Sequence, residues 1–331
     1  MTDQSPIKPL LSARSDLHIL FAHSAYDLKP IFDARAGGIK TTQVSNREDL
    51  AEALPEADVL VTSMMWSNEL LPLATKLKYL QSVSSGTNHY DKAAFAERGI
   101  LLASGAGVNK NAVSEHALGL TLSLTRRLAL ARDNQHAKIW RTEQTDPMLR
   151  EDELPGKTMV IVGTGGIGDR IAKLAKAFDM AVIGVRRDPS KGRGAADEVH
   201  SFRDLKSVLP KADVLVLSCP LTDETVGIID AEALSLLKPT AFFVNVARGG
   251  CVDEAALIAA LKSNAIAGAG LDVTAVEPLA EDSPLWTMPN VMLTPHAAGE
   301  TRKYELNVLN LLTQNLERLW AGRDDLVNQV G

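Results

Sequence analysis

A glycine-rich turn between an apolar run and an amphipathic stretch constrains this sequence more than any other feature. The run Val160-Ile161-Val162 precedes Gly163-Thr164-Gly165-Gly166-Ile167-Gly168, and apolar residues then recur at helical spacing as far as Phe178. In such a strand–turn–helix unit the first glycine turns tightly, the second lets a pyrophosphate approach the backbone, and the last lets helix and strand pack closely. The segment therefore predicts a dinucleotide-binding βαβ unit rather than a purely structural turn.

The end of the next apolar run predicts which dinucleotide is bound. An acidic residue about 20 positions after the glycines holds the ribose 2′-hydroxyl of NAD, whereas arginines suit the 2′-phosphate of NADP. Here Arg186 and Arg187 end the run, and Lys191 and Arg193 follow closely. The sequence therefore favours NADP, while Asp188 keeps NAD possible, and a solvated charged loop is the alternative to both.

Short apolar, β-branched runs alternate with stretches of helical periodicity along most of the chain, which is typical of βαβ units around parallel sheets. Four strand candidates form a first set, and six form a second set that fits one doubly wound sheet. The sequence therefore predicts an α/β protein with two doubly wound parallel-sheet domains. The first set is LHILFA from Leu17, ADVLVTS from Ala57, LKYLQSVS from Leu77 and ILLAS from Ile100; the second is TMVIVG from Thr158, MAVIGV from Met180, ADVLVLS from Ala212, AFFVNVA from Ala241, AGAGLDV from Ala267 and VMLTP from Val291.

An internal repeat supports two related halves. The segments LPEADVLVTS at Leu54–Ser63 and LPKADVLVLS at Leu209–Ser218 agree at eight of ten positions. Two similar α/β domains explain this match, although recurrence of a local strand entry is the alternative and ten residues do not establish duplication.

The segment between the two sets of strands predicts a long connecting helix. After a turn at Gly105–Asn109, apolar residues recur at helical spacing from about Ala112. His116 lies on that apolar face, and packing between the domains is its expected role. A polar excursion at Arg141–Glu153 then lies on the surface.

A second amphipathic helix over residues 301–320 is expected to return to the first domain. The predicted domains are therefore a discontinuous substrate-binding domain of residues 1–107 plus 297–331 and a dinucleotide-binding domain of residues 108–296.

Composition narrows the class of partners. A formal net charge of −6 leaves no basic excess for a phosphate backbone, so nucleic acid is an unexpected partner. The two cysteines, Cys219 and Cys251, form no CxxC pair, so no disulfide framework is predicted. Six of the seven histidines, all except His296, show no spacing typical of metal ligands, so no metal site is predicted either. No window approaches about 18 consecutive apolar residues, and no apolar leader begins the chain. We expect a soluble cytoplasmic protein that has no membrane partner.

Three further segments follow apolar runs of the second set. They are Asn245–Gly250 (NVARGG), Leu271–Pro278 (LDVTAVEP) and Thr294–Gly299 (TPHAAG), and each contains a cationic or titratable side chain. Because ligands of open α/β sheets bind beyond the carboxyl ends of the strands, these segments are candidates for the site.

In these motifs the sequence resembles the D-isomer-specific 2-hydroxyacid dehydrogenase family over nearly its whole length. The resemblance rests on GTGGIG, SCPLTDETVGII from Ser218, NVARGGCVDEAAL from Asn245, GLDVTAVEP from Gly270 and TPHAAG from Thr294, in this order. It implies a flavodoxin-like substrate domain and a Rossmann cofactor domain with a cleft between them, and an NAD(P)-dependent oxidoreductase that acts on the CH–OH group of small acids.

The resemblance places the family's catalytic arginine at Arg248, its glutamate at Glu277 and its acid/base histidine at His296. The chemistry agrees, because reduction of a 2-keto acid needs a cation for the carboxylate and a proton for the developing alkoxide. Glu277 is expected to orient the His296 ring and to favour the imidazolium. Taken singly, each residue also has a structural explanation, such as a cap, a turn carboxylate or a packed histidine.

The same resemblance implies further contacts. The loop Ser84–Asn88 resembles the family loop whose backbone amides bind the substrate carboxylate, although a plain polar turn is the alternative and Asn88 departs from the aspartate often found there. The apolar loop Ser63–Ser67 either shapes the pocket or belongs to the core. Substrate contacts are expected from Met64, Ser85, Gly86, Thr87, Arg248 and His296. Besides the glycine-loop residues and the two arginines, cofactor contacts are expected from Cys219, Pro220, Thr225, Val246, Asp272 and Gly299, with Asp272 on the nicotinamide carboxamide.

The function that the resemblance favours is NADPH-dependent reduction of glyoxylate, hydroxypyruvate or a similar small 2-keto acid. One alternative is a dinucleotide-sensing interaction protein like the family's corepressor members, and another is an NAD-linked enzyme like phosphoglycerate dehydrogenase. A homodimer formed through the connecting helix and the following excursion is also implied, with Trp140 as a candidate to reach the partner's active site.

Overall fold

Each of the two units in this chain is organised around one parallel sheet. The computed structural model describes residues 10–330. The first unit contains the described residues through Asn109 together with those from Thr301, and the second is Lys110–Glu300. The predicted α/β class with two parallel-sheet domains is confirmed.

Strands and helices alternate along most of the chain. In chain order the elements are β1 (His18–Ala22), α1 (Lys29–Asp33), β2 (Lys40–Val44), α2 (Arg47–Ala53), β3 (Val59–Thr62), β4 (Tyr79–Ser82), α3 (Lys92–Glu97), β5 (Leu101–Ala103), α4 (Lys110–Thr125), α5 (Leu128–Ala137), β6 (Thr158–Val162), α6 (Gly166–Ala177), β7 (Ala181–Arg186), β8 (Glu198–Ser201), α7 (Leu205–Val208), β9 (Val214–Leu217), α8 (Ala231–Ser235), β10 (Phe242–Asn245), α9 (Glu254–Lys262), β11 (Gly268–Leu271), β12 (Val291–Leu293) and α10 (Tyr304–Trp320). Short 3₁₀ helices lie at Leu54–Glu56, Asn68–Leu73, Pro147–Leu149, Pro189–Lys191, Phe202–Asp204, Leu209–Lys211, Gly249–Cys251 and Pro284–Trp286.

The first unit has five strands in the order β2-β1-β3-β4-β5, all parallel. This is the flavodoxin-like order. One face packs on α1 and α10, with Phe32 and Leu312 fully buried, and the other face packs on α2 and α3, with Leu50 and Phe95 buried. The terminal amphipathic helix thus completes the core of this unit.

The second unit has seven parallel strands in the order β12-β11-β10-β9-β6-β7-β8. The chain runs outward from β6 through β7 to β8, returns to β9 beside β6, and then runs outward in the other direction. Ligands of doubly wound sheets bind beyond the carboxyl ends at such a reversal. The fold therefore indicates a ligand site at the loops after β6 and β9 and at the strand ends beside them.

Each sheet also contains one strand that the sequence analysis did not predict. These strands are β2 (KTTQV) and β8 (EVHS), and each lies at an edge of its sheet. An edge strand needs fewer apolar side chains because part of its surface faces water, and neither segment has the apolar run that marked the other strands.

The repeated Leu-Pro-x-Ala-Asp segment has the same structure in both units. In each, Leu-Pro begins a 3₁₀ helix, and the aspartate lies just before a central strand. Asp58 accepts the backbone N–H of His18 at 2.9 Å, and Asp213 accepts that of Thr158 at 2.8 Å. Each carboxylate therefore satisfies the first donor of the neighbouring strand.

The predicted connecting helix is present but ends earlier than expected. Helix α4 stops at Thr125, Arg127 adopts a left-handed conformation with φ 50°, and α5 starts at Leu128. Buried Val113, Ala117 and Leu120 dock α4 in the core of the second unit.

Among residues 10–330, none of the helices combines the length and the apolar character that a membrane-spanning segment needs.

Candidate active site

Three neighbouring strands of the second unit present two predicted catalytic residues and one predicted cofactor residue at the carboxyl edge of the sheet. Arg248 lies three residues beyond the end of β10, Asp272 directly follows β11, and His296 lies three residues beyond β12. Because these strands are adjacent and parallel, their carboxyl ends lie side by side. The fold brings these segments together although they are far apart in the sequence.

A buried asparagine shapes the turn that carries Arg248. The Asn245 side chain accepts the N–H of Ala247 at 3.0 Å and donates to the carbonyl of Arg248 at 3.1 Å. Gly249 follows, and a Cβ there would lie 1.9 Å from the carbonyl oxygen of Thr274. The close approach of these two segments thus requires glycine, and the Arg248 side chain remains exposed.

His296 and Glu277 form a hydrogen-bonded pair. Nδ1 of His296 lies 2.7 Å from Oε2 of Glu277, and the other carboxylate oxygen, Oε1, accepts the backbone N–H of Thr274 at 3.2 Å. The carboxylate is therefore held from behind while it orients the ring. The side chains are 46% and 38% exposed, so neither is enclosed within this unit.

Asp272 is buried and is surrounded by donors from the His296 segment. Its carboxylate accepts from the Thr294 hydroxyl at 2.6 Å and from the backbone N–H groups of Ala297 and Ala298 at 3.0 and 3.1 Å. Its carbonyl oxygen accepts the N–H of His296 at 2.8 Å. His296 itself has a φ of 55°, a conformation that is costly for a residue with a Cβ atom.

The glycine loop after β6 is packed as tightly as its sequence predicts. A Cβ at Gly168 would lie 2.1 Å from the Gly163 carbonyl oxygen, and a Cβ at Gly163 would lie 2.5 Å from the Cys219 nitrogen. At Gly165, which caps α6, a Cβ would meet nothing within 4 Å. The buried hydroxyl of Thr164 has no hydrogen-bond partner. The loop is thus closed toward the sheet and open where a ligand would approach.

The loop after β9 lies directly beside the glycine loop. Cys219 and Thr225 are buried, and the Thr225 hydroxyl donates to the carbonyl of Pro220 at 2.6 Å. A hydrogen bond with Cys251, together with burial, raises the pKa of the Cys219 thiol. A neutral, buried thiol packs rather than reacts.

Two arginines and an aspartate end β7, as predicted for the adenosine side of a dinucleotide site. Arg186 donates to the Gly192 carbonyl at 3.0 Å, and Arg187 forms an ion pair with Glu224. The Asp188 carboxylate accepts from the backbone N–H and the hydroxyl of Ser190 at 3.0 and 2.6 Å. These hydrogen bonds lower the pKa of Asp188 and occupy one of its oxygens in a local turn.

The predicted substrate residues of the first unit follow β3 and β4. Ser85 and Gly86 are exposed and Thr87 is buried. The hydroxyls of Ser63 and Ser84 hydrogen-bond to each other, so the two loops are tied together. Within the apolar loop, Met65 and Trp66 belong to the core, whereas Met64 is 80% exposed.

Sequence reasoning did not identify two positioning contacts. One is the Asn245 side chain, for which the only signal was an asparagine at the end of a buried strand. The other is a hydrogen bond of 2.9 Å between His116 Nε2 and Thr294. Residues 178 positions apart carry no common local signal, and packing had been expected for His116. The remaining predicted cofactor residues, Val246 and Gly299, lie in the Arg248 and His296 segments.

Comparison with known families supports this arrangement. The family model described as D-isomer specific 2-hydroxyacid dehydrogenase, NAD binding domain, matches residues 118–298. This range contains the glycine loop and the three strand ends described above. Within residues 10–330 no group of three or more histidine, cysteine or acidic side chains is arranged to hold a metal ion.

Relatives of this chain include D-3-phosphoglycerate dehydrogenases and glyoxylate reductases. The chain is 38% identical over 292 residues to a D-3-phosphoglycerate dehydrogenase of Mycobacterium leprae, which covers 86% of this chain and 54% of that protein. It is 36% identical over 275 residues to a glyoxylate reductase of Pyrococcus furiosus, which covers 82% of this chain and 81% of that protein. The chain therefore spans about half the length of the first relative and most of the second.

A solved structure extends the similarity to nearly the whole fold. The NADPH-dependent glyoxylate/hydroxypyruvate reductase of Sinorhizobium meliloti, in complex with NADP and malonate, aligns with a TM-score of 0.77 at 28% identity. The alignment covers 96% of this chain and 97% of that one.

Proposed function

Because the chain belongs to the D-isomer specific 2-hydroxyacid dehydrogenase family, we propose that it is an NADPH-dependent reductase of glyoxylate, hydroxypyruvate or a similar small 2-keto acid. The observation that carries this proposal is the Glu277–His296 pair, which lies at the carboxyl edge of the second sheet beside the Arg248 turn. The product is the corresponding 2-hydroxy acid, which is the D-enantiomer wherever C2 becomes a stereocentre, as it does in hydroxypyruvate but not in glyoxylate.

The proposed roles follow from the chemistry of the side chains. Arg248 binds the substrate carboxylate and polarises the carbonyl, since its planar guanidinium keeps its charge and donates in a fork. His296 donates a proton from Nε2 to the developing alkoxide, because Nδ1 is engaged by Glu277. Glu277 orients the ring through its contact with Nδ1 and places a negative charge beside it during proton transfer.

The residues present fit a nicotinamide dinucleotide. The Gly163–Gly168 turn leaves an open approach at Gly165 and presents the first N–H groups of α6, which suit a pyrophosphate. The unpartnered Thr164 hydroxyl lies in the same loop. When bound, the dinucleotide supplies the hydride, and this chain's own residues supply the proton and the charge that binds the acid.

NADP is the proposed dinucleotide because of the residues that end β7. Arg186 and Arg187 provide permanent charge for a 2′-phosphate, although Arg187 is also paired with Glu224, whereas one oxygen of the Asp188 carboxylate is engaged by Ser190. The NADP bound by the Sinorhizobium meliloti relative agrees with this choice.

On the substrate side, Ser85 and Gly86 are exposed, and their backbone is proposed to bind the substrate carboxylate, with Thr87 completing the loop. Met64 is proposed to contact the substrate side chain.

A second candidate function is oxidation of a phosphorylated hydroxy acid with NAD, which the similarity to D-3-phosphoglycerate dehydrogenases favours. The two candidates differ in both substrate charge and cofactor, so one experiment separates them.

We also propose a homodimer formed through α5 and the segment that follows it. Four apolar side chains in this region are 43–96% exposed, namely Leu128, Leu130, Ile139 and Trp140. A groove with a volume of about 610 Å³ lies nearby, at the amino ends of β10–β12, and is lined by Leu124, Leu130, Phe242, Leu261, Met288 and Met292 among others. Exposed apolar surface of this extent is typical of an interface.

The test of function is an initial-rate panel with glyoxylate, hydroxypyruvate and 3-phosphohydroxypyruvate, each with NADPH and NADH. We expect turnover of the unphosphorylated acids with NADPH, and a decrease in kcat of roughly 10² to 10⁴ in His296→Ala with little change in dinucleotide affinity. Preference for the phosphorylated acid with NADH favours the second candidate. If the panel shows no turnover that His296→Ala abolishes, both candidate functions are contradicted.

A further inference from the structure

A chain of hydrogen bonds runs from helix α4 to the carboxylate beside His296. His116 Nε2 lies 2.9 Å from the Thr294 hydroxyl oxygen, which lies 2.6 Å from Oδ1 of Asp272. An ionised carboxylate only accepts hydrogen bonds, so the single hydroxyl proton of Thr294 points to Asp272. The hydroxyl oxygen must then accept from His116, which fixes a proton on Nε2.

The end of this chain holds the backbone on both sides of His296. The Asp272 carboxylate also accepts the N–H groups of Ala297 and Ala298, and the Asp272 carbonyl oxygen accepts that of His296. Asp272 is only 2% exposed, so these donors replace the water it would otherwise bind. The turn therefore wraps around one side chain while His296 keeps its left-handed backbone conformation.

The other end of the chain is anchored in a rigid element. Helix α4 lies directly against β11, because a Cβ at Gly270 would be 2.9 Å from Leu120 Cβ. Gly270 is two residues before Asp272, and Leu120 is one helical turn after His116. The donor and the carboxylate are thus fixed relative to each other by the core of the second unit.

We propose that His116 is a positioning residue for the acid/base group: through Thr294 and Asp272 it holds the turn in which His296 faces Glu277. This proposal rests on the proposed function, in which His296 is the proton donor. His116 is 26% exposed, and its Nε2 also lies 3.5 Å from Oδ1 of Asp272, so both its hydrogen bond to Thr294 and this direct contact lead to the same carboxylate. Its loss is therefore expected to affect the alignment of the proton donor far more than the capacity to bind a dinucleotide, whose pyrophosphate is proposed to bind at the glycine loop.

The test compares variants that break the chain with variants that keep it. His116→Leu and Thr294→Val remove one link each, while His116→Gln and Thr294→Ser keep a donor and a hydroxyl. We expect kcat to fall by about tenfold to a hundredfold in the first pair, with a much smaller change in the Kd for NADPH and substantial recovery of kcat in the second pair. The double variant His116→Leu/Thr294→Val is expected to lose no more activity than a single one, because the two residues act as one unit.

Hydrogen exchange tests the same proposal without turnover. The backbone amides of residues 296–298 are expected to exchange faster in the two chain-breaking variants than in wild type or in the conservative variants. The matched control is His200→Leu, because His200 has a similar exposure and also lies 3.5 Å from a carboxylate, that of Glu198. It is expected to leave exchange in this segment unchanged.

The outcomes separate the two proposals. If wild type shows no turnover of 2-keto acids but exchange at residues 296–298 responds as described, the positioning role stands and the proposed function fails. Unchanged exchange, additive losses in the double variant, or a rise in the Kd for NADPH that accounts for the lost activity would overturn the positioning role, even if the enzyme reduces glyoxylate.

Discussion

Glu277 holds the ring of His296 through a contact of 2.7 Å between Oε2 and Nδ1, while the backbone of Thr274 holds its other oxygen. The carboxylate therefore has two separable properties, its hydrogen bonds and its charge. A hydrogen-bonded carboxylate fixes which ring nitrogen faces the substrate, and it places a negative charge beside the ring.

Glu277→Gln separates these two properties. The amide preserves the size of the side chain but removes the negative charge beside the ring that is proposed to donate the proton, so we expect kcat to fall by about tenfold to a hundredfold. The Kd for NADPH, measured by fluorescence titration, is expected to be unchanged. Glu281→Gln, an exposed carboxylate in the same segment, is the control. Equal effects of the two substitutions on kcat would remove Glu277 from the proposed mechanism.

Alanine substitutions at two glycines of the loop after β6 are expected to affect different properties, stability in one case and dinucleotide binding in the other. In Gly168→Ala the new methyl group would lie 2.1 Å from a backbone oxygen, so the strand and helix must separate, which costs about 1–3 kcal/mol of the free energy of unfolding. In Gly165→Ala the methyl group meets no protein atom within 4 Å, so stability is retained, but dinucleotide binding is expected to weaken.

Thermal unfolding with and without NADPH distinguishes the two glycine variants. Gly168→Ala is expected to lower the Tm of the free protein, whereas Gly165→Ala lowers only the increase in Tm that NADPH produces. Gly119→Ala on α4, where a Cβ also meets nothing, controls for the general effect of alanine. Full stabilisation by NADPH in Gly165→Ala would argue against a pyrophosphate at this turn.

Much of this architecture could be predicted because buried strands have apolar sequences. The ten predicted strands are all present, and the two that were missed, β2 and β8, are polar strands at sheet edges. The carboxyl-edge segments that contain Arg248, Glu277 and His296 could likewise be located, because parallel strands present their carboxyl ends together.

Other features depend on tertiary contacts that leave no local pattern. Met64, Met65 and Trp66 are all apolar, and only packing decides that Met64 is exposed while the other two are buried. Nothing in the sequence around Arg127 marked the end of α4, since no glycine or proline is present. The hydrogen bond between His116 and Thr294 joins helix α4 to the end of β12, and periodicity along one helix cannot reveal it.

Arg186 is expected to determine the preference between the two dinucleotides. Arg186→Asp removes a positive charge and places a negative one where the 2′-phosphate is proposed to bind, so the KM for NADPH should rise by at least about tenfold. NADH lacks that phosphate and serves as the internal control, because its KM should remain the same or fall. An equal loss with both cofactors would mean that Arg186 supports the fold and not the choice of cofactor.

Asp197 gives the stability of the second unit an acid-sensitive component. Hydrogen bonds from the Val182 N–H at 2.8 Å and from Lys176 at 2.9 Å lower its pKa below the usual 3.8. The folded state thus binds fewer protons than the unfolded state near that pH, so this stabilisation is complete above pH 3.8 and is lost as the pH falls through the lowered value. Asp197→Asn is therefore expected to lower Tm at pH 7.

The difference in Tm between wild type and Asp197→Asn should shrink as the pH falls below 3.8 and through the lowered pKa of Asp197, since wild type is then losing the same contribution. Glu97→Gln, which changes an exposed carboxylate on α3, is expected to have no effect at either pH. A difference that stays constant from neutral to acid pH would show that the asparagine disturbs packing and that the charge of Asp197 is not responsible.

The apolar side chains after α5 are expected to hold two copies of the chain together. Ile139 and Trp140 are 58% and 96% exposed, and burying each in an interface would contribute about 1–3 kcal/mol. Light scattering should give wild type twice the chain mass of 35.6 kDa, and the double variant Ile139→Asp/Trp140→Asp the mass of one chain. Leu306→Asp, at a 39% exposed apolar position on α10, is the control and should remain a dimer. A wild-type mass of one chain would contradict the proposed dimer, and dissociation by the control alone would place the interface on the other unit.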